Sequence, residues 1–198
     1  MNIHLRLFTF LFFFLALTLA SARETEPSPY CDKTASEAAY ENQPLSSAWT
    51  IEVDGFEVDV PPNPTRIALD GRTLYLTYNN SLLVLGPGPE IPETFPNLQL
   101  RDLPARIFRS RLCHETDDKD ILTLLAYSAK EKYFTGSSTA FYTRHQTLTY
   151  YLSDSTWQGF NARAMVTADE LPNLFLQIDG RNIDFSLFRQ IVMSVRKI

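Results

Sequence analysis

The chain has 198 residues, 44% hydrophobic and 13% aromatic, with 18 Lys+Arg against 23 Asp+Glu and a formal charge of −5. With only seven glycines, this composition excludes a disordered or low-complexity chain and supplies enough apolar side chain for a buried core. The acidic balance, with no Lys/Arg cluster, argues against nucleic acid as a partner, because that affinity comes chiefly from cations that neutralise phosphates.

Residues 1–22 read as a secretory signal. Arg6 and the start amine precede an apolar run over 7–19, and Ala20-Ser21-Ala22 offers small side chains for cleavage. The run is shorter than the about 20 residues of a spanning helix; a retained N-terminal anchor is the alternative. The expectation is a periplasmic or secreted product starting near Arg23, with no stable membrane anchor after cleavage. Loss of Arg6 leaves 17 basic against 23 acidic side chains, a formal charge of −6. An N-terminal arm then covers 23–48 and one α+β domain covers 49–198.

In the arm, 23–30 is polar and proline-bearing, and KTASEAAYE (33–41) predicts a short helix with Ala35, Ala38 and Ala39 inward. Trp49, Ile51 and Val53 alternate before Asp54-Gly55, and Phe56, Val58 and Val60 alternate after it, which predicts a hairpin over 49–60. In RTLYLTYNNSLLVL (72–85), a two-residue turn at Asn79-Asn80 sets Leu76 against Leu83 and Leu74 against Leu85, all on a core face. Tyr75, Thr77, Leu82 and Val84 share the other face, which is weakly polar and calls for cover by the arm or by a partner. Asn79-Asn80-Ser81 is also a glycosylation sequon, relevant in a eukaryotic source.

The proline-rich stretch GPGPEIPETFPNLQLRDLP (86–104) predicts an extended surface loop, neither helix nor central strand. It is either a wrap held by Phe95 and Leu98 or a recognition loop. Residues 104–112 predict a helical turn with Ile107, Phe108 and Leu112 inward.

CHETDDKD (113–120) gathers a thiol, an imidazole and several carboxylates. The chain has two cysteines, and export places them where thiols oxidise, so a Cys31–Cys113 disulfide is expected. It closes a loop of about 80 residues, for which the chain-entropy model gives about 4.5 kcal/mol. A catalytic Cys113 based on His114 is the competing idea, but neighbouring side chains on a strand or helix point apart. DILTLLAYSAKEKYF (120–134) spaces Ile121, Leu124, Leu125 and Ser128 as one helical face. The helix should begin near Asp118, capped by Thr116 or Asp117, with Asp118 and Asp120 against the positive end of its dipole. Lys130, Lys132 and then Gly136 mark its end. Two other uses of the acids stay open: a weak calcium site, for which Leu122 stands where an oxygen ligand belongs, and a patch that meets a partner. The partner-facing acids expected are Glu90 and Glu93 in the loop and Glu115, Asp117 and Asp118 before the helix.

Four short strands over 141–145, 148–152, 159–167 and 174–179 predict an antiparallel meander. His145, near a strand end, reads as exposed or hydrogen-bonded, and a zinc site would need more than His114 and His145. DFSLFRQIVMSVRKI (184–198) spaces Phe185, Phe188, Ile191, Val192 and Val195 like a helix lying on a sheet. Neither G-x-S-x-G nor H-E-x-x-H occurs, so no catalytic residue, metal or cofactor is predicted. The expected fold class is α+β, an antiparallel sheet with helices packed on it and an arm tethered by a disulfide.

The hairpin running into GFEVDVPPN (55–63), the meander, FLQIDG (175–180) and the closing FSLFRQIVMSV (185–195) resemble the PsbP-like α/β/α sandwich family. The likeness lies in a GF-x-V-x-x-P opening and an F-x-x-I-V-x-S-V close, at the two ends of the domain. It implies such a sandwich, no shared catalytic residues, and work done by surface recognition. Bacterial members outside photosynthesis include chaperone and immunity proteins of contact-dependent toxin systems, type VI secretion among them. The implied function is an exported, non-enzymatic immunity protein that occludes the active site of a periplasm-acting toxin, its acidic surface suited to a basic partner. A secreted hydrolase and a small-ligand carrier between sheet and helices are the other function classes.

Overall fold

The structure, a computed structural model, describes residues 28–88, 99–113 and 120–198. Strands β2 (Trp49–Val53) and β3 (Phe56–Val60) pair from Trp49–Val60 to Val53–Phe56. Asp54 (φ 50°) and Gly55 (φ 83°) both take left-handed backbone, which is what a tight hairpin turn with the strands' own twist requires. Strands β4 (Arg66–Asp70), β5 (Thr73–Tyr78) and β6 (Ser81–Pro87) form a meander. Leu76 pairs with Leu83 and Leu74 with Leu85, as expected, and of the turn pair only Asn79 is left-handed (φ 47°). Strand β4 has no counterpart in the sequence reading, because Arg66 and Asp70 bound a run of only three apolar residues that follows three prolines.

A second meander follows: β7 (Ala140–His145), β8 (Leu148–Ser153), β9 (Ala162–Ala168) and β10 (Phe175–Arg181). Strand β9 starts later than expected, since 157–161 is spent on a turn. Strand β10 pairs with β6 and so fuses the two meanders into one sheet, which β1 (Ser36–Glu37) extends to the order β1-β7-β8-β9-β10-β6-β5-β4. Strand β1 is Ser36–Glu37, parallel to β7, in place of the short helix expected over 33–41. The Ala35 N–H bonds to the Phe108 carbonyl (2.7 Å) and the Ala38 N–H to that of Tyr142 (2.9 Å). Neighbours thus satisfy the backbone, whereas an isolated nine-residue helix would have to bear an unfavourable nucleation step. At the far end β11 (Arg196–Lys197) joins β3, making a separate sheet β11-β3-β2.

The fold class is α+β as read, and both faces of the large sheet are covered. One face packs on the small sheet and on α3 (Phe185–Met193) around Phe56, Val58, Leu83, Leu85, Phe188 and Ile191, all buried. Asp184 starts α3 by accepting from the N–H groups of Ser186 (2.9 Å) and Leu187 (3.1 Å). The opposite face packs on α1 (Asp102–Arg109) and α2 (Ile121–Phe134) around Ile107, Phe108, Tyr133, Tyr151 and Phe175. Proline is tolerated at two places where the sequence argued against regular structure. Pro104 lies in the first turn of α1, where no N–H is needed, and Pro87 is the last residue of β6, beside β10.

Helix α2 departs from its predicted face and start. Its N-cap is Asp120 itself, whose carboxylate accepts from the Thr123 N–H at 2.8 Å. Leu122, Ala126, Lys130, Tyr133 and Phe134 are buried, while Leu124 of the predicted face is exposed. The reason is Lys130: fully buried, it donates to the carbonyls of Ile107 (2.9 Å) and Ser110 (2.7 Å) at the negative end of α1. Pattern reading treats a lysine as solvent-facing and so misplaces the stripe by one position. Burial lowers the Lys130 pKa to about 8, against a raising effect from Asp32.

The arm is bolted to this helical layer. Cys31 and Cys113 form the disulfide expected, with an S–S distance of 2.00 Å and 82 residues of separation. The Leu112 N–H bonds to the Cys31 carbonyl (2.8 Å), and Tyr127 Oη accepts from the Ser28 N–H (2.9 Å). The described part of the arm therefore meets the β7 edge and leaves Tyr75, Thr77, Leu82 and Val84, at the other side of the sheet, half-buried.

Candidate functional site

Neighbouring strands set the centre of the site. Arg163 on β9 and Asp179 on β10 are register partners on the face toward α2, with Gln177 one step along the same row of β10. Arg163 is only 4% exposed; its Nη1 donates to Asp179 Oδ1 at 3.1 Å and its Nη2 to the Trp157 carbonyl at 3.2 Å. Gln177 Nε2 donates to the other Asp179 oxygen at 2.8 Å. Arg163 Nε is buried with no acceptor. Burial raises the Asp179 pKa, and Arg163, Gln177 and Lys132 pull it back. The charge pair is thus costly to bury and is held by a complete set of partners on the carboxylate side only.

Aromatic rings make the rim. The turn bridging Trp157 and Phe160 carries left-handed Gln158 (φ 51°) and Gly159 (φ 81°). It is fixed to the end of α2, since the Thr156 N–H bonds to the Thr135 carbonyl (2.8 Å) and Ser155 Oγ donates to that of Lys132 (2.6 Å). The guanidinium carbons of Arg163 and Arg181 each lie 4.9 Å from the Phe160 ring centre, within cation–π range. Tyr133 stands on α2 with its pKa pushed far up by burial, Asp179 adding to the effect. Tyr133, Trp157, Phe160, Arg163, Gln177 and Asp179 line an open pocket of about 210 Å³, together with Leu103, Ile107, Met165 and Phe175. Chemically it offers a ring-walled slot with one fixed ion pair and an amide.

Of the residues singled out in the sequence, those the structure describes lie elsewhere. Cys31 and Cys113 are joined, so neither is a free thiol. Glu90, Glu93, Glu115, Asp117 and Asp118 lie outside the described residues, as do His114 and the signal segment. His145 is exposed and stacks on Tyr40, with ring centres 4.1 Å apart and planes 8° apart, on the face of the sheet opposite the pocket. Among the described residues no group of three or more His, Cys, Asp or Glu is placed to hold a metal ion, and no helix is long and apolar enough to cross a membrane. The pocket itself escaped sequence reading. Its one signal was charge inside strands, Arg163 in ARAMVTA and Asp179 in FLQIDGR, where alternation alone gives no reason to bury either.

Compared with known proteins, no family model matches the chain and no curated protein matches it.

Proposed function

We propose that the protein is an exported, non-enzymatic binding protein, most concretely an immunity protein that holds a cognate toxin and occludes its active site. The observation that carries the binding reading is the ring-walled pocket beside the Arg163–Asp179 pair. At about 210 Å³ it is smaller than the roughly 300–1,000 Å³ of small-molecule sites, and it suits one anchoring side chain of a protein partner. Its walls of Trp157, Tyr133, Phe160 and Arg163 are the residue types in which interface binding energy concentrates. The disulfide and the fixed turn hold that slot in place before a partner arrives, which lowers the ordering cost of association. The net negative chain favours a basic partner. The immunity assignment itself rests on the family resemblance, and the signal sequence supports an exported place of action.

The test is genetic first. Deleting the gene is expected to leave producing cells open to killing by wild-type siblings, and survival of the deletion strain beside those siblings removes the immunity reading. The purified protein is expected to form a 1:1 complex with the toxin from the adjacent gene. Replacing Trp157 by Ala should weaken that complex at least about tenfold, the loss of one anchor, while the fold remains intact. An unchanged complex moves the interface away from the pocket.

A further inference from the structure

Strand β4 ends the large sheet, and among the described residues no strand pairs with its outward edge. The two-residue turn Gly71-Arg72 makes Asp70 and Thr73 a hydrogen-bonded pair, so Arg66, Ala68 and Asp70 direct their backbone groups to β5. Ile67 and Leu69 direct theirs away from the sheet, and their side chains are 58% and 71% exposed. Natural proteins guard such edges with charged side chains, lysine above all, with proline or with a covering segment; RIALD has no lysine or proline, its two charges are of opposite sign, and among the described residues no strand pairs with its outward edge. Arg66 and Asp70 are exposed, and neither has an ion-pair partner among the described residues.

The strand is complementary to itself. Turned end for end about Ala68, RIALD sets Arg66 opposite Asp70, Ile67 opposite Leu69 and Ala68 opposite Ala68. The backbone groups that then face one another are those of Ile67 and Leu69, the ones β5 leaves unused. Ala68 falls at the two-fold axis, in a non-hydrogen-bonded pair where the chains approach most closely and a small side chain is needed. Both ion pairs form on one face and all four large apolar side chains meet on the other, each beside the Leu74 and Leu76 row of its own β5. We propose that β4 is a dimerisation edge: two copies of this chain pair antiparallel through RIALD and continue the large sheet across a two-fold axis. A second copy is favoured over an unrelated strand because both charged positions and both apolar positions find their complements in the same five residues.

The oxidised protein, followed by sedimentation equilibrium from low to high micromolar concentration, should form a dimer. Arg66→Asp places like charges at both symmetric contacts, and so does Asp70→Arg; each should raise the dimer dissociation constant at least about tenfold. The double variant Arg66→Asp/Asp70→Arg should restore it, and mixing the two single variants should give a heterodimer, since opposite charges then face one another at both contacts. Leu69→Lys should abolish the dimer without rescue. These side chains are exposed and make no side-chain bond to any described residue, so unchanged circular dichroism is expected of every variant. A monomer throughout the range, a dimer indifferent to single reversal, or single losses that neither the double variant nor mixing restores would each overturn the proposal. None of these results depends on the toxin, so the outcome is separate from that of the immunity reading.

Discussion

Removing the Cys31–Cys113 bond by paired Ala substitution tests how far the covalent link, as opposed to local packing, secures the fold. The bond spans 82 residues, and that loop contains β1 to β6 and α1, including the whole first meander. In the chain-entropy account, freeing a loop of this length gives the unfolded chain about 4.5 kcal/mol of added freedom at 25 °C. The native arm should stay docked, because the Ala35 N–H still meets the Phe108 carbonyl at 2.7 Å and the Leu112 N–H the Cys31 carbonyl at 2.8 Å. Native spectra should therefore be unchanged while the urea midpoint falls by about 2 M, given a slope of ~2 kcal/mol per molar. The slope itself should rise, since an uncrosslinked chain exposes more surface on unfolding. In thermal melts a loss of this size corresponds to about 9–18 °C. A loss below about 1 kcal/mol, with the native spectrum intact, would refute the entropic reasoning and shift the credit to contacts around β1.

Arg163→Leu strands the Asp179 carboxylate without its cation and should cost about 3–5 kcal/mol at neutral pH. Because burial holds the Asp179 pKa above its unfolded value, the folded state binds that proton more tightly; the cost should be smallest in acid and grow as pH rises through the folded pKa, read by urea titration at several pH values. Lys130 behaves in the opposite sense to a stabilised lysine. With a folded pKa of about 8 against 10.5, the unfolded chain holds more protons between those values, so its contribution to stability should climb from pH 8 toward pH 10.5. That climb, at most about 3 kcal/mol, should be absent from the Lys130→Met curve and so appear in the difference between wild type and variant; a flat difference curve refutes it. Gly180→Ala places a methyl carbon 3.0 Å from the Phe188 ring and should destabilise by about 1–3 kcal/mol in chemical denaturation. Asp120→Ala removes both the α2 cap and the ion pair with Arg106 at 2.6 Å, with an expected loss of about 1 kcal/mol.

The sequence carries the local rules of this fold better than its long-range ones. Asp54-Gly55 and Asn79 fix two turns and hence two registers, because each turn needs left-handed residues that few side chains accept. The leucine pairs across Asn79 follow directly. What decides β1 is a carbonyl of Phe108 and one of Tyr142, partners far along the chain, and no periodicity within KTASEAAYE contains them. The same holds for the buried Lys130, whose acceptors belong to α1. The disulfide was legible because two cysteines allow one pairing and the export expected from residues 1–22 favours oxidation. The pocket was not, since Arg163 and Asp179 meet only once β9 and β10 are in register, and the ring walls come from a turn and a helix that strand alternation does not connect.

The junction of β6 with β10 has a consequence for how the molecule is made. Strand β6 leaves the ribosome about 90 residues ahead of the strand that pairs with it, an interval of roughly 5–20 s at ordinary elongation rates. Until then Leu83 and Leu85 lie beside a raw inner edge, and β3 also waits for the last two strand residues, Arg196 and Lys197, to pair on its free side. The nascent first half is thus an unfinished object with an unpaired flank, and loss of Arg196 and Lys197 would harm the beginning of the fold as much as its tail.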